Sequence, residues 1–439
     1  MRSTPLGSKS FFWPALLLLL LGLAGCAPAQ LAPPPITPTA LAQPEPSATV
    51  TRSSVYFQLV EKPGVTPSPS PLPTRVPPPT LSPTPPLLPF DLTKGPTLIY
   101  TGRPGEMRIF WQWIASADFR VDWGVDENYA LGSARVAEYD LQNHLYAFTI
   151  SGLQPAALYR YRVVLDQNAS LGSFRSAPAA SETRLKFVSY GDTRTYPDLH
   201  DAVARQVIDL YQADPLYQTV NLMVGDFVNY GDDDATWTDE LFSPAYPNIR
   251  ALMANVAWLP VMGNHEGSGE LYARYFPLPF TASRYTSFDY GPAHIILLDQ
   301  YVDYGPGSPQ YEWLKADLSL STKTWKIVVL HEPGWSAGGG HDNSAQVQND
   351  LQPLFEQTGV ALVLGGHNHY YARAEVNGIT HLTVGTGGAP LYTPIKEMPN
   401  ILAVYQGTGF VRFQIDGSEL FGQFIAADGQ EKDSFRIKR

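Results

Sequence analysis

The sequence predicts a layered α/β domain over residues 183–439 and, before it, a small all-β sandwich over residues 96–178. Three observations support this prediction. Strand-like, loop and helix-like segments alternate after residue 183, which is typical of layered α/β folds. Short β-rich segments separated by Gly, Asn and Asp turns occupy residues 96–178. Aspartate, asparagine and histidine side chains follow the buried strand-like runs, at the strand ends where α/β folds gather their ligands.

The amino terminus has the pattern of a bacterial lipoprotein signal peptide over residues 1–25. An apolar run over residues 11–25 follows two basic residues and is too short for a membrane-spanning helix. It ends in Leu-Ala-Gly-Cys, which resembles the lipobox, where the peptide is cut before a cysteine that then carries lipid. Cys26 is the only cysteine, and its alternative roles are a buried small side chain or a free thiol. We expect lipidation of Cys26 and an extracytoplasmic protein that is lipid-anchored to the bacterial cell membrane.

Residues 26–95 have the composition of a proline-rich tether. Within them, residues 27–90 contain 19 of the 40 prolines, mixed with Ser and Thr. Such chains are semi-rigid and extended, and they cannot bury enough apolar surface to form a core.

The charge balance argues against one class of partner. The formal net charge is −11, and cleavage of a signal peptide with two basic and no acidic residues would make it −13 (−11 − 2). Nucleic-acid binding requires a basic surface, so we expect no nucleic-acid partner. The sequence indicates no particular oligomeric state.

The predicted sandwich has strand-like segments at residues 107–114, 119–123, 146–150 and 159–165. Residues 153–155 (Leu-Gln-Pro), followed by Tyr159, predict a tyrosine corner, in which the phenol bonds back to the backbone. Trp111 or Trp113 is expected to fill the core. This region shows no ligand chemistry, so we interpret it as a scaffold.

The α/β region alternates buried runs with helical segments. The buried runs lie at residues 185–190, 220–224, 258–262, 295–298, 326–330 and 361–364, and the helices at residues 198–211, 310–320 and 345–357. After residue 401, segments at 410–415 and 420–424 with Asp-Gly turns predict strands that close the sheets.

Five strand ends carry side chains of the kinds that bind metals or move protons. These ends are Gly191-Asp192, Gly225-Asp226, Gly263-Asn264-His265, His331 and Gly366-His367-Asn368-His369. One Gly-Asp pair is usually just a turn, and one His-x-His pair occurs by chance, but five such ends in succession indicate a metal centre. Strand alternation would place His367 and His369 on one face. The ligand types suit hard or borderline ions, and the lack of thiolates argues against structural zinc.

At these motifs the chain resembles the calcineurin-like metallophosphoesterase superfamily and, more narrowly, the purple acid phosphatase type. The resemblance covers residues 96 to about 392. It includes residues 285–292 (YTSFDYGP), Leu298-Asp299, Gln310, Trp313-Leu314 and residues 366–373 (GHNHYYAR). It implies an α/β fold of the four-layer type, a β-sandwich flanked by helices, after a fibronectin type III-like domain.

The resemblance also implies a ligand set for two metal ions, which would be iron, manganese or zinc. Asp226 would bridge the ions, Asp192 and His369 would complete the ligands of the first, and Asn264, His331 and His367 would bind the second. The implied substrate is a phosphoester that water attacks directly, most simply a phosphomonoester. A phosphodiesterase or nucleotidase is the alternative, and an inert surface-binding lipoprotein is the rival of another class.

The resemblance implies roles for three further side chains. His265 would donate to the phosphoryl oxygens or protonate the leaving alkoxide, and His341, beside the glycine loop 338–340, would orient the substrate. The alternative for His341 is a solvated loop histidine. Arg194 stands where the superfamily often has a ligating histidine, and it would bind phosphate or form a structural ion pair.

One departure concerns the first metal. Purple acid phosphatases place a ligating tyrosine three residues after the bridging aspartate, but this chain has Asn229 there and Tyr230 next. We therefore expect an enzyme without intense colour even when iron is bound. His144, His200, His294 and His381 match no motif and are expected to be structural.

Overall fold

The structure, a computed structural model, describes residues 87–439. The predicted signal peptide, Cys26 and the tether up to residue 86 lie outside the described residues. None of the described helices is long and apolar enough to cross a membrane.

Two sheets form the all-β region that precedes the α/β region. Their strands are β1 (Leu88–Pro89), β2 (Lys94–Ile99), β3 (Glu106–Gln112), β4 (Phe119–Gly124), β5 (Gly132–Val136), β6 (Glu138–Asp140), β7 (Leu145–Ser151), β8 (Leu158–Leu165) and β9 (Asn168–Arg175). The five-stranded sheet has the order β1-β9-β8-β4-β5, and the four-stranded sheet has the order β2-β3-β7-β6.

The all-β region begins earlier than the sequence predicts. Strands β1 and β2 start before residue 96, inside the segment assigned to the tether, and Leu88 pairs with Asn168 of β9. The sequence did not predict these strands, because the segment has a proline-rich composition. Lys94 of β2 is nevertheless only 1% exposed.

Aromatic side chains fill the core of the all-β region as predicted. The Trp111 ring stacks on Tyr146 with centroids 5.5 Å apart, whereas Trp113 is half-buried at its edge. The Gln154 backbone N–H donates to the Tyr159 hydroxyl at 2.9 Å, which is the bond that a tyrosine corner requires.

The α/β region contains two further sheets. Their strands are β10 (Arg184–Tyr190), β11 (Val220–Met223), β12 (Ala257–Pro260), β13 (Thr286–Tyr290), β14 (Ala293–Leu297), β15 (Trp325–Val329), β16 (Val360–Gly365), β17 (Tyr371–Val376), β18 (Ile379–Val384), β19 (Ile401–Tyr405), β20 (Gly409–Asp416), β21 (Glu419–Ala426) and β22 (Glu431–Lys438). The six-stranded sheet has the order β12-β11-β10-β20-β21-β22, and the seven-stranded sheet has the order β13-β14-β15-β16-β18-β17-β19. Strands β20, β21 and β22 extend the six-stranded sheet, in agreement with the prediction that strands near the carboxyl terminus close the sheets.

Helices connect the parallel strands. They are α1 (Pro197–Ala213), α2 (Asp234–Thr236), α3 (Pro247–Asn255), α4 (Glu270–Tyr275), α5 (Pro309–Leu320) and α6 (Gln352–Thr358), with 3-10 turns at Pro215–Tyr217 and Asn264–Glu266 and π-helical turns at Trp237–Leu241 and Val347–Leu351. The helix predicted over residues 345–357 is thus a π-helical turn followed by α6. Proline near the start of α6 lacks an N–H donor, which fits a break in the regular helix there.

The all-β and α/β regions share one apolar core, because a single cluster of buried side chains includes residues of both. Polar contacts join them as well. Lys94 Nζ lies 2.8 Å from Asp234 Oδ1, and Arg250 Nη2 donates to the Leu92 carbonyl at 2.8 Å. The Tyr161 hydroxyl donates to a backbone carbonyl of α3 at 2.9 Å. These contacts fix the sandwich against the α/β region.

Candidate metal centre

The six predicted metal ligands lie together beyond the carboxyl ends of β10, β11, β12, β15 and β16. They are Asp192, Asp226, Asn264, His331, His367 and His369. Ligand atoms of Asp192, Asp226 and His331 lie within 4.8 Å of one another. Asn264 Oδ1 is 3.1 Å from His331 Nε2 and 2.9 Å from His367 Nδ1. His369 Nε2 is 3.5 Å from Asp192 Oδ1, so these distances connect all six side chains.

The histidine pair reaches the site from a loop, which corrects the prediction that strand alternation aligns it. Strand β16 ends at Gly365 and β17 begins at Tyr371. His367 has a left-handed backbone, with φ of 66°. Its backbone N–H donates to Asp192 Oδ1 at 2.9 Å. The turn, rather than the two-residue period of a strand, therefore brings His367 and His369 to one place.

Both aspartates also hold a left-handed backbone, with φ of 54° at Asp192 and 57° at Asp226. This conformation costs a non-glycine residue about 1–3 kcal/mol. The loops hold it through mutual bonds: the Thr193 N–H donates to the Asp226 carbonyl at 2.9 Å, and the Asp192 N–H donates to the Gly225 carbonyl at 2.8 Å. The strained residues are those that point at the site.

Two imidazoles are turned so that one ring nitrogen faces the carboxylates. His331 Nδ1 lies 2.6 Å from the Val224 carbonyl, and His369 Nδ1 lies 2.6 Å from the Pro390 carbonyl. Because a carbonyl accepts only, each Nδ1 carries the proton and each Nε2 keeps its lone pair, as in metal-binding histidines.

The side chains at this site are of the kinds that bind metal ions, and two of their buried atoms lack a hydrogen-bond partner in the described part of the chain. Within residues 87–439, His369 Nε2 and Asp192 Oδ2 are buried without a hydrogen-bond partner. A buried polar group without a partner costs free energy, and two electron-pair donors side by side cannot satisfy each other. A cation between the two atoms would accept an electron pair from each. Oxygen and imidazole ligands of this kind suit hard and borderline ions.

The electrostatics of the two buried carboxyl groups favour a nearby cation, which would stabilise their ionised forms. Burial and the neighbouring Asp226 carboxylate raise the pKa of Asp192 well above its usual range. Burial acts on Asp226 in the same direction, but the hydrogen bond from the His265 backbone N–H and the Arg194 guanidinium oppose it, and the pKa of that carboxyl is lowered. Burial lowers the pKa of His369 to about 4, so its imidazole is neutral and able to bind a metal.

Arg194 forms an ion pair inside the site, which is one of the two roles predicted for it, the other being phosphate binding. Its Nε lies 3.4 Å from Asp226 Oδ2, and its side chain is only 10% exposed. Its Nη1 donates to Asn229 Oδ1 at 3.3 Å. The Asn229 amide oxygen is thus directed to Arg194. The next side chain, Tyr230, is 66% exposed.

His265 and His341 flank the ligands. His265 Nδ1 lies 2.9 Å from the Asn229 carbonyl, and its backbone N–H donates to Asp226 Oδ1 at 3.0 Å. The His341 ring stacks on His367 with centroids 3.9 Å apart. Its backbone N–H donates to Asn368 Oδ1 at 2.7 Å, which holds the exposed His341 beside the predicted ligands.

Sequence reasoning missed four residues that support the ligands. The Glu266 carboxylate is fully buried and accepts the backbone N–H groups of Asp226, Phe227 and Gly263. Burial and the Asp226 carboxylate raise the pKa of Glu266, and the three N–H donors oppose this rise by favouring the carboxylate. Glu266 follows Asn264-His265 directly, so a buried carboxylate beside two predicted functional residues was a usable signal.

The other three missed residues are Glu240, Asn368 and Tyr392. Glu240 accepts the N–H groups of Thr195 and Asn229 at 2.9 and 3.0 Å. Asn368 accepts the His341 backbone N–H. Its position between the two histidines of the His-x-His motif could have indicated a role at the site. Tyr392 stacks on His369 with centroids 4.2 Å apart, and nothing in its sequence neighbourhood indicates this.

Known proteins share this fold. Residues 187–371 match the family model described as calcineurin-like phosphoesterase. The structure aligns with a purple acid phosphatase from yellow lupin (Lupinus luteus) seeds at a TM-score of 0.67 and 20% identity, covering 79% of this chain and 75% of that chain.

Curated relatives include two proteins from Arabidopsis thaliana. Purple acid phosphatase 18 is 32% identical over 165 residues, which is 32% of this chain and 38% of that protein. Probable purple acid phosphatase 20 is 25% identical over 327 residues, 65% of this chain and 72% of that protein. The chain thus spans well under half of the first relative. Residues 187–371 are therefore similar to calcineurin-like phosphoesterases, and the chain shares its fold with the purple acid phosphatase from yellow lupin.

Proposed function

We propose that this protein is a two-metal phosphoester hydrolase that acts on phosphomonoesters. The observation that carries the proposal is the convergence of carboxylate, amide and imidazole atoms from five strand ends, with His331 and His369 turned by backbone carbonyls. The names of the relatives, purple acid phosphatases, support a phosphatase reaction.

The six ligands divide between two ions. Asp226 would contribute to both, Asp192 and His369 would hold the first ion, and Asn264, His331 and His367 would hold the second. Iron, manganese and zinc all suit such ligands. When bound, the two ions neutralise charge on the phosphoryl group and make water a nucleophile near neutral pH.

The remaining side chains bind and orient the ester. With Nδ1–H held by the Asn229 carbonyl, a protonated His265 ring presents Nε2–H to a phosphoryl or leaving-group oxygen. His341 lies over His367 and binds the substrate from the opposite loop. Arg194 orients the Asp226 carboxylate and adds positive charge near the phosphoryl oxygens.

A substrate panel on metal-loaded protein tests the proposal. We expect hydrolysis of p-nitrophenyl phosphate at least tenfold faster than of bis-p-nitrophenyl phosphate or AMP. Asp226→Asn should abolish hydrolysis, and Asp428→Asn, which changes an exposed carboxylate, should not. A preference for the diester would assign a phosphodiesterase, and a preference for AMP would assign a nucleotidase. Metal-loaded protein that hydrolyses none of the three would contradict the proposal and favour an inert surface-binding protein.

We also propose, from the sequence, that the protein is anchored outside the cytoplasm through lipid on Cys26. The apolar run and the motif that ends at Cys26 support this. Two acyl chains give stable membrane retention. Mass analysis of the mature amino terminus should find diacylglycerol on Cys26, and Cys26→Ser should release the protein or leave it unprocessed. A native amino terminus at another residue would contradict the proposal.

A further inference from the structure

Tyr392 lies at the metal centre although no motif includes it. Its ring is nearly parallel to His369, at an angle of 14° and a centroid distance of 4.2 Å. Its hydroxyl is 3.3 Å from His341 Nε2. Tyr392 therefore touches one predicted metal ligand with its face and the predicted substrate-binding histidine with its hydroxyl.

The His341 ring has three supports. Its face stacks on His367 with centroids 3.9 Å apart, and its backbone N–H donates to Asn368 Oδ1 at 2.7 Å. Asn368 Nδ2 in turn donates to the His341 carbonyl at 3.1 Å. His367 and Asn368 thus hold the plane of the ring and the backbone. Among residues 87–439, the Tyr392 hydroxyl is the group that lies within hydrogen-bond distance of a His341 ring nitrogen, and it fixes the rotation of the ring.

We propose that Tyr392 is a positioning residue that fixes the rotation of the His341 ring through Nε2 and leaves Nδ1 available to a phosphoryl or leaving-group oxygen of the substrate. This inference rests on the proposed phosphoester hydrolysis. Tyr392 does not touch the reacting atoms in this account. It acts through His341, and its ring covers one side of His369.

Tyr392→Phe tests the inference because it removes the hydroxyl and keeps the ring. We expect unchanged metal content, a kcat/KM for p-nitrophenyl phosphate lowered by about three- to tenfold, and binding of inorganic phosphate, measured by calorimetry, weakened by a similar factor, since one neutral hydrogen bond is lost. Tyr230→Phe, which changes an exposed tyrosine, is the matched control and should behave as wild type.

A double-mutant cycle separates action through His341 from independent action. In the His341→Ala background, Tyr392→Phe should cause no further loss in kcat/KM or in phosphate affinity. Losses that multiply would overturn the inference, as would wild-type values in the single variant. Loss of metal from Tyr392→Phe would show that the phenol is a ligand and would overturn it as well. Wild-type protein that binds metal but hydrolyses no ester would instead contradict the proposed function.

Discussion

At the scale of single residues, the site depends on where proton donors point. His331 and His369 use Nδ1–H against a backbone carbonyl and leave Nε2 for the metal side. Asn229 occupies the position where purple acid phosphatases carry a ligating tyrosine, and its amide oxygen faces Arg194 at 3.3 Å. The residue types could be predicted from the sequence. The partners that orient them could not, because they come from loops distant in the chain.

Iron-loaded protein should therefore show no intense visible absorption band. Such a band requires charge transfer from a tyrosinate ligand, and the amide of Asn229 cannot supply it. Tyr230 is 66% exposed, and the Tyr392 hydroxyl is bonded to His341. An absorption spectrum of the iron-loaded protein checks this. An intense band that disappears in Tyr230→Phe would assign Tyr230 as a ligand and contradict the prediction.

At the scale of secondary-structure elements, the sequence predicted the five strand ends and the strands that precede them. It did not predict the loops beyond them. The His367 backbone is left-handed, and strand alternation gave the right grouping of His367 and His369 for the wrong reason. Short strands β1 and β2 were hidden by a proline-rich composition. Local patterns report burial, whereas loop geometry depends on side chains such as Glu266 that bridge two strand ends.

Glu266→Gln should destabilise the fold and weaken metal binding. The carboxylate accepts three backbone N–H groups from the loops after β11 and β12, and an amide would place its own NH₂ against at least one of them. A buried donor left without an acceptor costs about 1–3 kcal/mol. Thermal unfolding and metal content measure the effect. Glu270→Gln, whose side chain is 75% exposed, is the control, and an equally small change in both variants would show that the Glu266 bonds are not needed.

At the scale of the whole molecule, the sandwich is joined to the α/β region through a shared apolar core and buried polar contacts. Lys94 is the clearest of these contacts, because its side chain is 2% exposed and its Nζ lies 2.8 Å from Asp234 Oδ1. Burial lowers the pKa of Lys94, and the Asp234 carboxylate opposes that shift. Residues 87–439 should consequently unfold as one cooperative unit.

Asp234→Ala should lower the free energy of unfolding by about 1–3 kcal/mol, since it leaves the buried Lys94 ammonium without its carboxylate partner. Lys438→Met, at a side chain that is 80% exposed, should change it by less than about 0.5 kcal/mol. Calorimetry of both variants and of wild type measures this. Two separate transitions in wild type would show that the sandwich and the α/β region are independent.

Metal content tests the central claim of a two-metal centre most directly. Inductively coupled plasma mass spectrometry of metal-loaded protein should find about two ions per chain in wild type. Asp226→Asn removes the shared ligand and should lose most of both. His265→Ala should keep its metals but lower turnover by roughly a hundredfold or more, because His265 acts on the substrate and not on the ions. Wild-type protein that hydrolyses phosphomonoesters with one ion or none, or a His265→Ala variant as depleted of metal as Asp226→Asn, would contradict the account.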